Sequence, residues 1–230
     1  MRSRYSTHGT FREFLFFTQE EIDNICTDEL AKCGLLPDSP IAIRIDRFIE
    51  KRFGKPHTYE NLPTGILGLT RFGAKGVQEV VLASSLEDDC TKPGERRLRT
   101  TLAHEAGHGL LHAHLFALRQ DNPLFGDWTD RRAPQILCRG EVTRSVPGAE
   151  PWEYQANMVM GAILMPKRLV RIALEPFMSS TGGLGLRRLG EVERRAAIQN
   201  LAELFDVNPV VVRIRLEKMF ATKERAQPAL

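Results

Sequence analysis

Residues 100–112 read TTLAHEAGHGLLH, and within them His104-Glu105-Ala106-Gly107-His108 has the form HExxH. No proline interrupts the run, so a helix is predicted. Residues four apart on a helix lie about 40° apart around the axis and ~6 Å apart along it. The imidazoles of His104 and His108 can therefore reach one ion from the same face. Glu105 stands beside them, where its carboxylate can touch a water bound to that ion. This arrangement makes a hydroxide at neutral pH. Thr100, Thr101, Leu102, Ala103, Ala106, Leu110 and Leu111 are small or apolar, so the helix reads as buried. A buried helix rarely carries such polar groups without partners, because unpaired polar groups in a core are costly. Two hydrogen-bonded histidines on a surface helix are the plainer reading, and these flanks fit it poorly.

A catalytic zinc site takes three protein ligands and keeps one open position. His112 lies about 80° around and ~12 Å along a straight helix from His104, too far to share one ion. His114 has the spacing of the HExxHxxGxxH motif, but Leu111 replaces the glycine that would break the helix there. Both read as packing or ligand-orienting groups. A carboxylate from a later helix is the other solution. Glu153 opens the segment EYQANMVMGAILMP, and Asn157 follows one turn on, on the same face. Glu153 can bind the ion while Asn157 orients a histidine ligand. Glu141 and Glu150 are rivals placed in loop sequence. A solvated acid at a helix start is the plain alternative for Glu153.

Outward from these two segments the pattern is mixed. Thr18 with Glu21 is a capping-box signature that opens a helix running to Gly34. Ser39-Pro40 predicts a second helix, to Gly54, although the alternation Ile41, Ile43, Ile45 also suits a short strand. Strands are expected near 58–62, at Ile66 to Leu69 and at Val77 to Leu82, with Gly73-Ala74-Lys75-Gly76 as a turn. The motif helix is expected over Glu95 to Arg119. A long irregular stretch from Gln120 to Glu150 follows, of the kind that forms lids. Helices are then expected over Trp152 to Leu164, from Pro166 to Leu174, over Glu191 to Phe205 and over Pro209 to Phe220, with a glycine-rich linker at 181–190.

The chain has 230 residues, 42% hydrophobic and 27% charged, which suits one sizeable globular domain with an extension. A net charge of +3 is too small to indicate nucleic acid by itself. Four cysteines without CxxC spacing suggest free thiols in a reducing compartment. The apolar patch Phe14 to Phe17 is too short for a signal peptide, and no run suits a membrane span, so a cytoplasmic protein is expected.

GERRLRTTLAHEAGHGLLH followed by EYQANMVMGAILMP resembles the ImmA/IrrE family of bacterial zinc metallo-endopeptidases, with patterns HELGHxxLH and ExxANxFAxxLLMP. The matching residues are His104, Glu105, Gly107, His108, Leu111 and His112, then Glu153, Ala156, Asn157, Leu164, Met165 and Pro166. Ala106 stands where leucine is usual, and Met158-Val159 replace the commoner aromatic pair. PTGILGLTRF and LAELFDVNPVVVRIRLEKM are also similar to the family. The resemblance implies metal ligands His104, His108 and Glu153, with Glu105 as catalytic base. It implies Zn2+, with Mn2+ an alternative, and a helix-turn-helix transcriptional repressor as the protein substrate, cleaved to derepress genes. The expected fold is α+β and zincin-like: a small antiparallel sheet of about three strands packed on the HExxH helix, under a helical C-terminal layer. The expected division is a tail at 1–17, a metallopeptidase domain at 18–176 and a helix-turn-helix-like extension at 177–230.

Two other classes compete. One is a non-enzymatic antirepressor with a structural metal site, which has no need of Glu105 as a base. The other is a DNA-binding regulator using the last two helices, where Arg213, Arg215 and Lys218 would face phosphate. The many apolar residues around them favour packing, so direct contact with nucleic acid is not expected. A second donor for the oxyanion is expected, with Tyr154, His57 and Tyr59 as candidates.

Overall fold

The computed structural model describes residues 2–5, 13–73, 75–114, 135–139, 151–180, 187–188 and 191–220. The fold is α+β, mostly helical, around a small mixed sheet. Strands β1 (Arg2–Tyr5) and β2 (Glu13–Phe16) pair antiparallel inside the segment expected as a tail. A buried amide docks this segment: Gln155 Nε2 donates to the Leu15 carbonyl and Gln155 Oε1 accepts from the Phe17 amide, both at 3.0 Å. Helix α1 (Gln19–Lys32) starts with the expected capping box, Thr18 Oγ1 accepting from the Glu21 amide and Glu21 Oε2 accepting from the Thr18 amide. Its stripe of Ile22, Cys26 and Leu30 is buried.

Helix α2 spans Ile45–Phe53 and ends on Gly54, which takes a left-handed φ of 79°. It does not begin at Ser39-Pro40. Arg99 Nη2 donates to the Ile43 carbonyl at 2.9 Å, so that carbonyl is held by a distant side chain. Ile43 and Ile45 are buried while Ile41 is exposed, and residues 41–44 form neither helix nor strand.

The main sheet contains β3 (Thr58–Glu60), β4 (Ile66–Gly73), β5 (Gly76–Ala83) and β6 (Gln135–Arg139), in the order β3-β5-β4-β6. This corrects the expectation of about three antiparallel strands. The β4–β5 hairpin is antiparallel, but β3 runs parallel to β5, Thr58 opposite Val81. The fourth strand lies in the stretch whose prolines and glycines read as irregular. β6 pairs antiparallel with β4 from Ile66–Arg139 to Arg71–Gln135. β4 is therefore an inner strand, and β6 forms the edge.

After the short α3 (Ser84–Glu87), helix α4 (Lys92–Leu111) carries the HExxH motif. Thr91 caps it, accepting from the Gly94 amide, and Pro93 sits in the first turn where its missing N–H is harmless. Every residue from Thr100 to Gly109 is buried. The helix ends at Leu111; the expected end, Arg119, lies outside the described residues. Next come α5 (Pro151–Leu164), α6 (Lys167–Leu174) and a 3-10 turn (Glu175–Phe177). The two-residue strands β7 (Ser179–Ser180), just before the expected linker, and β8 (Arg187–Arg188), within it, pair antiparallel. Helices α7 (Glu191–Leu204) and α8 (Pro209–Met219) follow much as anticipated.

One hydrophobic core joins α1, α2, α4 and α5 to the last two helices through Leu102, Ala106, Ile163, Leu164, Leu201, Phe205, Val212 and Leu216. Asp206 adds a polar tie, accepting from Lys92 Nζ at 2.7 Å and Arg96 Nε at 3.2 Å on α4. No helix among the described residues is long and apolar enough to cross a membrane.

Candidate active site

The site forms where α4 crosses α5. His104 and His108 project from successive turns of α4, and Glu153 comes from the first turn of α5. His104 Nε2 lies 3.0 Å from His108 Nε2 and 3.1 Å from Glu153 Oε2; His108 Nε2 lies 3.4 Å from Glu153 Oε1. One ligand atom from each residue falls within 4.8 Å of the others, so the three could hold a metal ion. The spacing is informative. Donors arranged tetrahedrally about 2.0–2.2 Å from an ion stand ~3.3 Å apart, close to the three separations. Histidine and carboxylate together are the donor set suited to a zinc-sized divalent ion.

Close approach of the helices makes this geometry possible. Gly107 faces α5, and a Cβ there would lie 2.9 Å from both the Cα and the carbonyl oxygen of Ala156. Only a residue with no side chain fits that gap. On the other flank, Gly68 of β4 lets the sheet approach Glu105: a Cβ at this position would lie 2.9 Å from Thr101 Cγ2 and 3.0 Å from Glu105 Oε1.

Glu105 is fully buried, and its position is set by the sheet. Thr70 Oγ1 donates to Glu105 Oε2 at 2.6 Å and to the Glu105 carbonyl at 3.3 Å. Thr70 and Gly68 alternate along β4 and share the face turned to α4. The ligand rings are also supported. His104 Nδ1 lies 3.0 Å from Asn157 Oδ1, as the i, i+4 placement of Glu153 and Asn157 suggested. His108 Nδ1 lies 3.0 Å from Nδ1 of His112, which is buried at the helix end.

Electrostatics suit cation binding. Burial pushes the His108 imidazole below its ordinary pKa, only partly opposed by Glu153. Burial and the neighbouring imidazoles push His112 well below its own. Burial acts to raise the Glu153 carboxyl, but hydrogen bonds with His104 and His108 outweigh it and hold the group well below the usual range. Neutral imidazoles beside an ionised carboxylate are the protonation states that ligate metal.

The structure brings His104, His108, Glu105, Glu153 and Asn157 together. Glu141 and Glu150 lie outside the described residues. His114 is half-buried, and burial lowers its pKa. The candidate oxyanion donors are engaged elsewhere. His57 Nε2, just before β3, and the Tyr59 hydroxyl on it are bonded to each other at 3.2 Å, and the Tyr154 hydroxyl accepts from Lys218 Nζ at 2.8 Å. Sequence reasoning missed Thr70 and Gly68. The alternation Leu67, Gly68, Leu69, Thr70 was the available signal: its small residues fall on one face of a strand next to the motif helix.

Comparison of the chain with curated proteins gives no match. The family model described as the IrrE N-terminal-like domain, peptidase family M78, matches residues 91–217, from the N-cap of α4 into α8. That span holds both motif helices and exceeds half of the sequence, so the chain belongs to the ImmA/IrrE family of metallopeptidases.

Proposed function

We propose that this chain is a zinc-dependent, zincin-like endopeptidase, manganese being the alternative metal, that cleaves a specific helix-turn-helix repressor and so derepresses genes. The observation that carries the catalytic part is Glu105. A structural metal site needs only its ligands. Here a fourth ionisable group, buried and held by Thr70 at 2.6 Å, stands next to His104 in the sequence of the site. Zinc held by His104, His108 and Glu153 would supply Lewis acidity toward water and the scissile carbonyl. Glu105 takes the proton from the attacking water and delivers it to the leaving amine. Asn157 keeps the His104 ring aimed.

The substrate reading rests on family membership and on the shape of the sheet. An extended segment can add to an exposed edge by main-chain hydrogen bonds. β6 covers the β4 side of the hairpin, so that edge belongs to β6. Direct DNA binding is disfavoured because two of the three basic residues that α8 would need are used inside the protein. Arg215 is buried and lies 2.7 Å from Asp23 Oδ1, and Lys218 is bonded to Tyr154. Free thiols at Cys26, Cys33 and Cys90 suit the cytoplasm.

The test is incubation of the metal-loaded chain with helix-turn-helix repressors of its own genome, the one encoded beside it first, followed by mass spectrometry. One cut in one repressor is expected, with little hydrolysis of casein. Glu105→Gln should keep the metal and lose activity by a factor on the order of 10² or more. Scattered cuts, or efficient casein hydrolysis, would mean a broad protease. Relief of repression without any cut would establish the antirepressor reading instead.

A further inference from the structure

The ligand atoms offered by the motif helix are both Nε2: those of His104 and His108 are 3.0 Å apart and face the Glu153 carboxylate. A ring nitrogen that gives its lone pair to a cation carries no proton, so each neutral ring keeps its proton on Nδ1. A buried Nδ1–H needs an acceptor. For His104 the acceptor is Asn157 Oδ1 at 3.0 Å, an atom that can only accept. For His108 the neighbour is His112 Nδ1 at 3.0 Å. An imidazole accepts only through an unprotonated nitrogen, which leaves the proton of His112 on its Nε2. That Nε2 is buried and has no hydrogen-bond partner among the described residues.

We infer that His112 is a positioning residue whose Nδ1 lone pair holds His108 in the tautomer and ring orientation that a divalent cation requires. The unpartnered Nε2–H is the consequence of this orientation. A purely packing side chain at a helix end would have no reason to bury a polar atom without a partner, since doing so is unfavourable. The two imidazole pairs are thus different solutions to one problem: a fixed amide oxygen serves His104, and a third imidazole serves His108. The inference rests on the metal reading of the site.

Two measurements on the full chain separate positioning from packing. The first is zinc affinity by competition with a chromogenic chelator. The second is the thermal midpoint of the metal-stripped protein. His112→Leu keeps most of the volume but removes both the acceptor and the orphaned N–H. Zinc binding should weaken about 10–100-fold, the usual loss for a group that orients a ligand. The metal-free midpoint should hold or rise. His112→Asn, whose Oδ1 can take the place of Nδ1, should stay within a few-fold of wild type. Long-range 1H–15N spectra of the zinc-loaded wild type should show protons on His108 Nδ1 and His112 Nε2, a readout that stands even if the leucine variant does not fold. Unchanged affinity in His112→Leu, equal losses in both variants, or a proton on His112 Nδ1 overturns the inference alone. A wild type that binds no zinc overturns the metal reading and this inference together.

Discussion

Replacing Gly107 by alanine sets two known effects against each other. In a helix interior, alanine is favoured over glycine by about 0.8–1.0 kcal/mol, so an unconstrained site would gain stability. Here the new Cβ would stand 2.9 Å from Ala156 Cα, 2.9 Å from the Ala156 carbonyl oxygen and 3.1 Å from Val159 Cβ. The first two are backbone atoms, so no rotamer change relieves them. Relief requires α5 to move away by about half an ångström, and overpacking of this kind costs roughly 1–3 kcal/mol. The net expectation is a loss of up to about 2 kcal/mol, or up to ~8 °C in Tm for a domain of this size. The displacement also falls on the site. Glu153 lies one turn before Ala156 and Asn157 directly after it, so the third ligand and the His104 acceptor move together. Zinc affinity should therefore fall tenfold or more, on the scale seen when ligand-orienting groups are lost. Thermal unfolding of the metal-free chain and chelator competition measure the two effects separately. A Gly107→Ala variant as stable as wild type, binding zinc equally well, would refute the argument that helix contact sets the ligand spacing.

Thr70→Val keeps the shape but removes the hydroxyl bonded to Glu105 Oε2; peptidase turnover should fall about tenfold at unchanged zinc affinity, and parallel loss of zinc would place Thr70 in ligand support instead. Burial acts to raise the Asp206 carboxyl, but hydrogen bonds from Lys92 and Arg96 outweigh it and lower its pKa. Its stabilising contribution is therefore present above the unfolded value near 3.9 and lost as pH falls through the lower folded value. Urea midpoints of wild type and Asp206→Asn should differ at pH 6 and converge on acidification; a gap that widens toward low pH contradicts the sign. Asp23→Ala strands the buried Arg215 guanidinium and should cost about 3–5 kcal/mol, whereas a double replacement of Asp23 and Arg215 by apolar residues should recover most of that loss in the same urea titration.

The parts of this fold that follow local rules were legible in the sequence. The capping box at Thr18 and the prolines at 151, 166 and 209 each mark a helix start by chemistry within a few residues, and the uninterrupted run around His104 marks a helix interior. Glu153 and Asn157 were legible for the same reason, since a separation of four on one helix turns both toward one partner. What could not be read depends on contacts distant in sequence. β6 is five residues long and gains its definition from β4, more than sixty residues earlier. The start of α2 is set by Arg99 reaching the Ile43 carbonyl. Thr70 is an ordinary strand residue until α4 lies across it. No periodicity within β4 encodes the position of Glu105.

The helix that looked most like a DNA reader shows how the site is supported. α8 packs on α5, and two of its side chains reach points near the two ends of that helix. Lys218 Nζ donates to the Tyr154 hydroxyl, next to Glu153, while Arg215 Nε donates to the Met165 carbonyl just beyond the other end. Between them Gly161 leaves room for the Arg215 stem, whose Cδ would be 3.4 Å from a Cβ there. The same guanidinium faces Asp23 on α1. Gln155, in the next turn from Trp152, binds the β2 backbone. α5 is thus fixed from three directions: α4 through Gly107, α1 with α8 through Arg215, and β2 through Gln155. A metal site needs ligands from two elements to stay within a few tenths of an ångström of their places, and a lone pair of crossed helices can slide or rock. Fastening α5 to its neighbours removes that freedom. It also explains in physical terms why two of the basic residues of α8 are engaged by other parts of the protein.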